Sequence, residues 1–183
     1  SKAKVGLPEV NLGLIPGAGG TQRLPRIAGL ENAIDMISSA RHVSAKEARK
    51  MGLIDHIIEA DDLSASARSF AMQVLEMKDI RGRVSEVEMQ DSEQNRQILA
   101  RWTSLVSKKA GGQESPLVAL ESIENTLSMN FADGLARERE LFTACLSSQQ
   151  SKALRHIFFA EIAATKLPDS LVAAPAKIHS AAV

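Results

Sequence analysis

The sequence is poor in cysteine, in net charge and in long apolar runs, and each shortage removes a class of explanation. The single cysteine, Cys145, allows no internal disulfide. One lone thiol fits a reducing compartment, and as a small apolar group it is expected to be buried. Twenty-two basic residues are matched by twenty-two acidic ones, so no general electrostatic pull draws the chain toward nucleic acid or a membrane surface. No apolar run approaches the ~20 residues needed to span a bilayer, and the opening SKAKVGLPEV lacks a signal-peptide core. Chemical signatures are scarce as well. There is no G-x-S-x-G elbow, and His42, His56, His156 and His179 are scattered with no cysteine or acid at a zinc spacing. No metal site is expected.

What is present is a soluble, globular composition, 44% hydrophobic and 24% charged over 183 residues. Three zones follow from the patterning. Residues 3–58 mix short apolar strands with helices: KVGLPEV reads as extended, TQRLPRIAG as a short helix and LENAIDMISSA as an amphipathic one. VSAKEARKMG carries a capping box, with Ser44 as cap, Glu47 at the third helical position and Gly52 as the stop. The β-branched run LIDHIIEADD reads as a strand. A helix is expected over residues 63–77. A polar surface segment, KDIRGRVSEVEMQDSEQNRQ, follows, and apolar periodicity returns in ILARWTSLVSKKAGG. The rest is helical in three pieces, SPLVALESIENTLS, FADGLARERELFTACLSS and SKALRHIFFAEIAATK, ahead of a linker-like tail, LPDSLVAAPAKIHSAAV. Domain limits are set at 1–60, 61–166 and 167–183.

Two features invite a chemical reading. Gly17, Gly19 and Gly20 precede Thr21, where exposed amides at a helix start favour an anion. The loop lacks a P-loop lysine and the G-x-G-x-x-G spacing, however, and tight-turn geometry explains the glycines equally well. Glu9 stands among Val5, Leu7, Val10, Leu12, Leu14 and Ile15. A carboxyl desolvated there has a raised pKa, suited to giving and accepting a proton near neutral pH, and an ordinary surface glutamate at a turn is the alternative. Elsewhere the plain readings prevail: Phe158 and Phe159 as core packing on a helix with Leu154, Ile157 and Ile162, and RERE over 137–140 as a solvated helix face of paired charges.

The stretch GLPEVNLGLIPGAGGTQRLPRIAGLENAIDMI, followed by SAKEARKMGLIDHII, resembles the enoyl-CoA hydratase/isomerase (crotonase) family in its Pro-Glu, Pro-Gly-Ala-Gly-Gly-Thr-Gln-Arg-Leu and Ser-Ala-x-Glu-Ala pattern. ELFTACLSSQQSKALRHIFFAEIAATK is similar to the end of the hydratase/isomerase part of the multifunctional fatty-acid oxidation enzymes. The resemblance implies an α/β crotonase-like (ClpP/crotonase spiral) fold, here its mainly helical C-terminal portion with a few short strands. It further implies hydration of trans-2-enoyl-CoA and Δ3 to Δ2 isomerisation, with Glu9 exchanging the proton at the substrate's α-carbon. Pro16, Gly17, Gly19, Gly20 and Thr21 would shape the site. A basic residue that commonly follows Ala-Glu in relatives is Ile162 here, and Lys166 one turn on is the substitute for contact with coenzyme A phosphates.

The family's two oxyanion N–H donors and its second glutamate lie ahead of this motif, so no position here is assigned to them. The chain accordingly reads as a fragment whose partners are the acyl-CoA substrate, an absent N-terminal half and an absent dehydrogenase domain. AKIHSAAV looks like the start of that domain. NAD is implied only for it, and no cofactor for this chain. The location would be cytoplasmic in a bacterium and peroxisomal or mitochondrial in a eukaryote, with a homo-oligomer possible. Other crotonase-type thioester chemistry, and a non-catalytic module in isolation, are the alternatives.

Overall fold

The computed structural model describes residues 2–58, 62–77 and 82–166. Two short strands, β1 (Lys4–Val5) and β2 (Val43–Ser44), pair antiparallel with Lys4 opposite Ser44 and Val5 opposite Val43. Among the described residues eight helices carry the rest: α1 (Gly20–Ala28), α2 (Leu30–Ser38), α3 (Ala45–Lys50), α4 (Leu63–Glu76), α5 (Glu93–Lys109), α6 (Ser115–Glu124), α7 (Phe131–Ser147) and α8 (Gln149–Ala164). Short 3-10 turns occupy Glu9–Leu12, Val84–Glu86 and Asn125–Leu127.

The centre is α2, whose Ala33, Ile34, Met36 and Ile37 are essentially sealed from solvent between α1, α5 and α6. Ile34, Met36 and Ile37 each contribute about 1.5–3 kcal/mol by leaving water. Val10, Ile15, Ala119, Leu120 and Ile123 extend the same core. The stretch bearing Glu9 and the start of α1 is therefore pinned to α6, α7 and α8 from a distance of more than a hundred residues.

Caps set the helix limits much as the sequence suggests. The Ser44 hydroxyl accepts from Glu47 N–H at 3.2 Å. The reciprocal half of that capping box is missing, because the Glu47 carboxylate takes Arg41 Nη1 at 2.8 Å instead. Gly52, at φ +76°, ends the helix. Asp62, Ser92, Asn130 and Ser148 cap α4, α5, α7 and α8 with side-chain oxygens.

Three expectations need correcting. KVGLPEV is extended only at Lys4–Val5, and by Glu9 the backbone has turned into a 3-10 helix. LIDHIIEADD forms no strand over 53–58, where no strand among the described residues offers a ladder; residues 59–61 lie outside the described set. The polar surface segment is mostly exposed where it is described, and α5 starts inside it at Glu93, where the Ser92 hydroxyl caps Asn95 N–H at 3.2 Å. Phe158 and Phe159 are not core: they stand 44% and 65% exposed, because α8 touches the body through its N-terminal end and α7. The tail from residue 167 lies outside the described residues. The burial expected of Cys145 holds.

Candidate active site

Glu9 owes its position to backbone constraints on both sides. The 3-10 turn Glu9–Leu12 is closed by Gly13 at φ +66°, and Leu14 N–H returns to Glu9 O at 3.1 Å. The carboxyl is thereby held half-buried against the core. Its Oε2 is buried and has no hydrogen-bond partner among the described residues. Burial pushes the Glu9 pKa above the usual carboxylate range; a bond from its own backbone opposes this, and the charge of Glu138 adds to the rise. Trp102 Nε1 and Asn125 Nδ2 are likewise buried and unpartnered, but neither titrates. Glu9 alone of the three can carry a proton to and from a substrate.

The loop 17–21 sits beside it. Gly19 adopts φ +89°, a left-handed conformation that glycine tolerates without strain, and α1 starts at the next residue. A Cβ on Gly20 would stand 2.6 Å from Pro16 Cβ and 3.1 Å from Leu7 Cδ1, and one on Gly17 would stand 2.5 Å from Phe142 Cδ2. The glycines thus let the loop close over buried Pro16 and press α1 against the segment leading to Glu9. An apolar cavity of about 290 Å³ opens next to this contact, lined by Val5, Leu7, Gly20, Leu24, Ile27 and Leu53 among others.

An anion does sit at the helix start, as one of the two readings of the loop allowed, and the protein itself supplies it. Glu138 on α7 accepts Gly19 N–H on Oε1 at 2.5 Å, and Thr21 N–H on Oε2 at 2.9 Å. The Thr21 hydroxyl donates to Oε2 as well, at 2.5 Å. This corrects the reading of RERE as a solvated face. Arg137 does bind Glu140 and Glu121 at the surface, but Glu138 is only 1% exposed. The signal for it was present: Gly134, Leu141 and Cys145 share the helix face of residue 138, and all four are buried.

Lys166 lies exposed just past α8. That helix meets the Glu9 turn at its other end, where Ser151 Oγ donates to Leu12 O at 2.9 Å. The α8 axis runs roughly 20 Å from there to Ala164, so the structure sets Lys166 well apart from the group formed by Glu9, Pro16, Gly17, Gly19, Gly20 and Thr21.

The family model for enoyl-CoA hydratase/isomerase matches residues 1–103, which contain all of that group. The chain belongs to the enoyl-CoA hydratase/isomerase family. The peroxisomal bifunctional enzyme of Danio rerio is 37% identical over 187 residues, covering 100% of this chain and 26% of that protein. The Arabidopsis thaliana peroxisomal fatty acid beta-oxidation multifunctional protein AIM1 is 35% identical, covering 92% of this chain and 24% of that protein. The chain therefore spans about a quarter of the length of these curated relatives. The enoyl-CoA hydratase crystal structure from Geobacillus kaustophilus HTA426 aligns with 86% of this chain and 47% of that one, at 23% identity and a TM-score of 0.37. As an enoyl-CoA hydratase/isomerase family member the chain has the crotonase-like α/β class, with helices predominating. No His, Cys, Asp or Glu cluster able to hold a metal occurs among its described residues, and none of its described helices is long and apolar enough to cross a membrane.

Proposed function

We propose that this chain carries the proton-transfer carboxyl of an enoyl-CoA hydratase/isomerase that operates within a longer, multifunctional polypeptide of peroxisomal fatty-acid β-oxidation. The observation that carries the reading is Glu9: a carboxyl with one oxygen buried and unpartnered, raised in pKa by desolvation, on a turn braced by the glycine loop. The names and partial coverage of the relatives support the pathway, the compartment and the longer polypeptide.

In the hydration direction, water adds across the C2=C3 double bond of a trans-2-enoyl thioester. The water oxygen bonds to C3 as one water proton passes to a base, a role that falls to the second glutamate in the family's preceding half, while the protonated Glu9 delivers its proton to C2. Uptake of the proton released from water returns Glu9 to its protonated form. In isomerisation the same carboxylate removes a proton from one carbon of the acyl chain and returns it to another. Both directions need a group that holds a proton at neutral pH and releases it easily, which is what desolvation gives a glutamate. Charge building on the thioester oxygen is stabilised by aimed N–H donors, worth several kcal/mol, and these belong to the part of the family's module that precedes this motif. Hydration involves no net oxidation or reduction and needs no redox cofactor from this chain; NAD belongs to the dehydrogenase step of the longer polypeptide.

Crotonyl-CoA hydration by the full-length gene product tests the reading. Glu9→Gln should lower kcat by about 10²–10⁴-fold, with little change in acyl-CoA binding. Wild-type hydration by that variant would show that Glu9 is not the proton carrier. Thioester hydrolysis without hydration would assign the site to another crotonase-type reaction.

A further inference from the structure

A second carboxylate is built into the fold close to Glu9, and the hydration step as written above does not use it. Glu138 is 1% exposed, and both of its oxygens are engaged by donors from residues 117 to 119 positions away. The Thr21 hydroxyl has one hydrogen, and it points to Glu138. The Ser122 hydroxyl at 2.7 Å and Gln22 Nε2 at 3.2 Å must therefore donate to Thr21 Oγ1. A cascade of donors from α1 and α6 thus converges on one acceptor on α7, the arrangement that an ionised, acceptor-only carboxylate requires. Neither oxygen is left to meet a substrate or to activate water.

The consequence for Glu9 is both geometric and electrostatic. By holding Gly19 and Thr21, Glu138 fixes where α1 begins, and Gly20 in that start abuts Leu7 and Pro16, which flank the Glu9 turn in sequence. Resting on the acid–base role proposed for Glu9, we infer that Glu138 is a positioning residue for its proton transfer: its buried carboxylate locks the start of α1 against the Glu9 turn and holds a fixed negative charge within reach of that site.

The other charged groups on the elements packed against the pair are bound elsewhere or stand exposed. On α1, Arg23 donates to Ala18 O at 2.5 Å, and Arg26 to Val87 O at 3.0 Å and Gln22 O at 2.7 Å. On α2, Asp35 is bound by Arg41 and Glu31 by Arg101; on α6, Glu121 is bound by Arg137 and Glu124 is exposed. On α8, Arg155 donates to Leu146 O at 3.0 Å and Lys152 is exposed, while Glu86 on the Val84–Glu86 turn is exposed too. Among the described residues, the negative charge of Glu138 adds to the rise that burial produces in the Glu9 pKa.

The test measures kcat and KM for crotonyl-CoA hydration against pH in the full-length gene product, with Glu138→Gln and Glu138→Asp. Glu138→Gln should lower kcat about ten- to a hundredfold by loosening the loop, leave KM within about twofold, and move the pH limb due to Glu9 to lower pH because the negative neighbour is gone. Glu138→Asp keeps the charge one methylene back, so the limb should stay in place while kcat falls. Carbon-13 titration of the Glu9 carboxyl reads the same shift without activity.

A folded Glu138→Gln protein with wild-type kcat and an unmoved limb overturns the inference. If Glu138→Gln fails to fold, Glu138→Asp decides: reduced kcat with the limb in place supports the inference, and wild-type kcat overturns it. An inactive Glu9→Gln beside an unimpaired Glu138→Gln defeats only this inference. An active Glu9→Gln defeats the proposed function, and the carbon-13 titration still reports on Glu138.

Discussion

Helices α1 and α8 invert the usual expectation about which side chains a protein hides. Of the nine residues of α1, Thr21, Gln22 and Arg26 are buried together with Leu24, Pro25 and Ala28. The sixteen residues of α8 bury only Ser151, while Ile157, Phe158, Phe159 and Ile162 face outward. Partners, and not hydrophobicity, decide the difference. The polar groups of α1 meet Glu138, the Ser122 carbonyl and the Val87 carbonyl, so each is satisfied on leaving water. Beyond its first turns, residues 156–164 of α8 are all exposed, its apolar groups with them. Burial of polarity on α1 is specified by the chain itself, and exposure of apolarity on α8 is what remains when only one end of a helix is docked.

The hardest way to break this contrast is to remove the acceptor that makes α1 polar inside. Glu138→Ala leaves Gly19 N–H, Thr21 N–H and the Thr21 hydroxyl without their partner. Stranded buried donors cost about 1–3 kcal/mol each before relaxation, so a loss of about 2–4 kcal/mol in urea unfolding is expected. A loss below about 1 kcal/mol would mean that water replaces Glu138 freely. Next comes Gly134→Ala on α7. Helix propensity alone favours alanine by about 1 kcal/mol. Here the new Cβ would collide with Gln22 Oε1, the side chain whose Nε2 is bonded to Ser122 O at 2.8 Å. A net destabilisation of about 1–2 kcal/mol is expected from the same unfolding curve, and stabilisation would show that the α1–α7 contact is loose.

How much of this was legible in the sequence follows the same division. The helices rest on local rules, and Ser44, Gly52 and the apolar spacing of LENAIDMISSA announced α3 and α2, whereas the 3-10 turn at Glu9 fell inside a stretch that reads as extended. The anion at the start of α1 was legible as chemistry but not as a partner, because its source lies 119 residues away. Glu138 was misread through its neighbours: Arg137 and Glu140 are surface charges, and the buried stripe of Gly134, Leu141 and Cys145 was the better guide. LIDHIIEADD and the two phenylalanines of α8 failed for a common reason. β-Branched runs and apolar helix faces predict that something will cover them, and composition does not say what.

A smaller effect separates Glu9 from the satisfied carboxylate of Glu138. Because the folded-state pKa of Glu9 is raised, the group is protonated in both states below its unfolded value of about 4.3 and affects stability little there. As pH rises through the folded value, the charge must be held in the half-buried site, and stability is lost. Glu9→Gln, neutral throughout, should therefore match the wild type near pH 4 and exceed it near pH 8. Solvent reaching half the side chain limits the gain to about 1 kcal/mol. Equal melting temperatures at both pH values would show that the Glu9 site is as wet as bulk solvent.

The smallest effect is expected where hydrophobicity is greatest. Phe159 is 65% exposed, so Phe159→Ser removes little buried area. Thermal unfolding should move by no more than about 0.5 kcal/mol, against 2 kcal/mol or more for the polar change at Glu138. The apolar surface that Phe159 shares with Ile157 and Phe158 should nonetheless be sticky, so sedimentation at rising concentration should show less self-association in Phe159→Ser than in the wild type. A loss near the 3–5 kcal/mol of a buried phenylalanine would instead mean that α8 folds back onto the body in solution. The contrast between the two helices would then disappear.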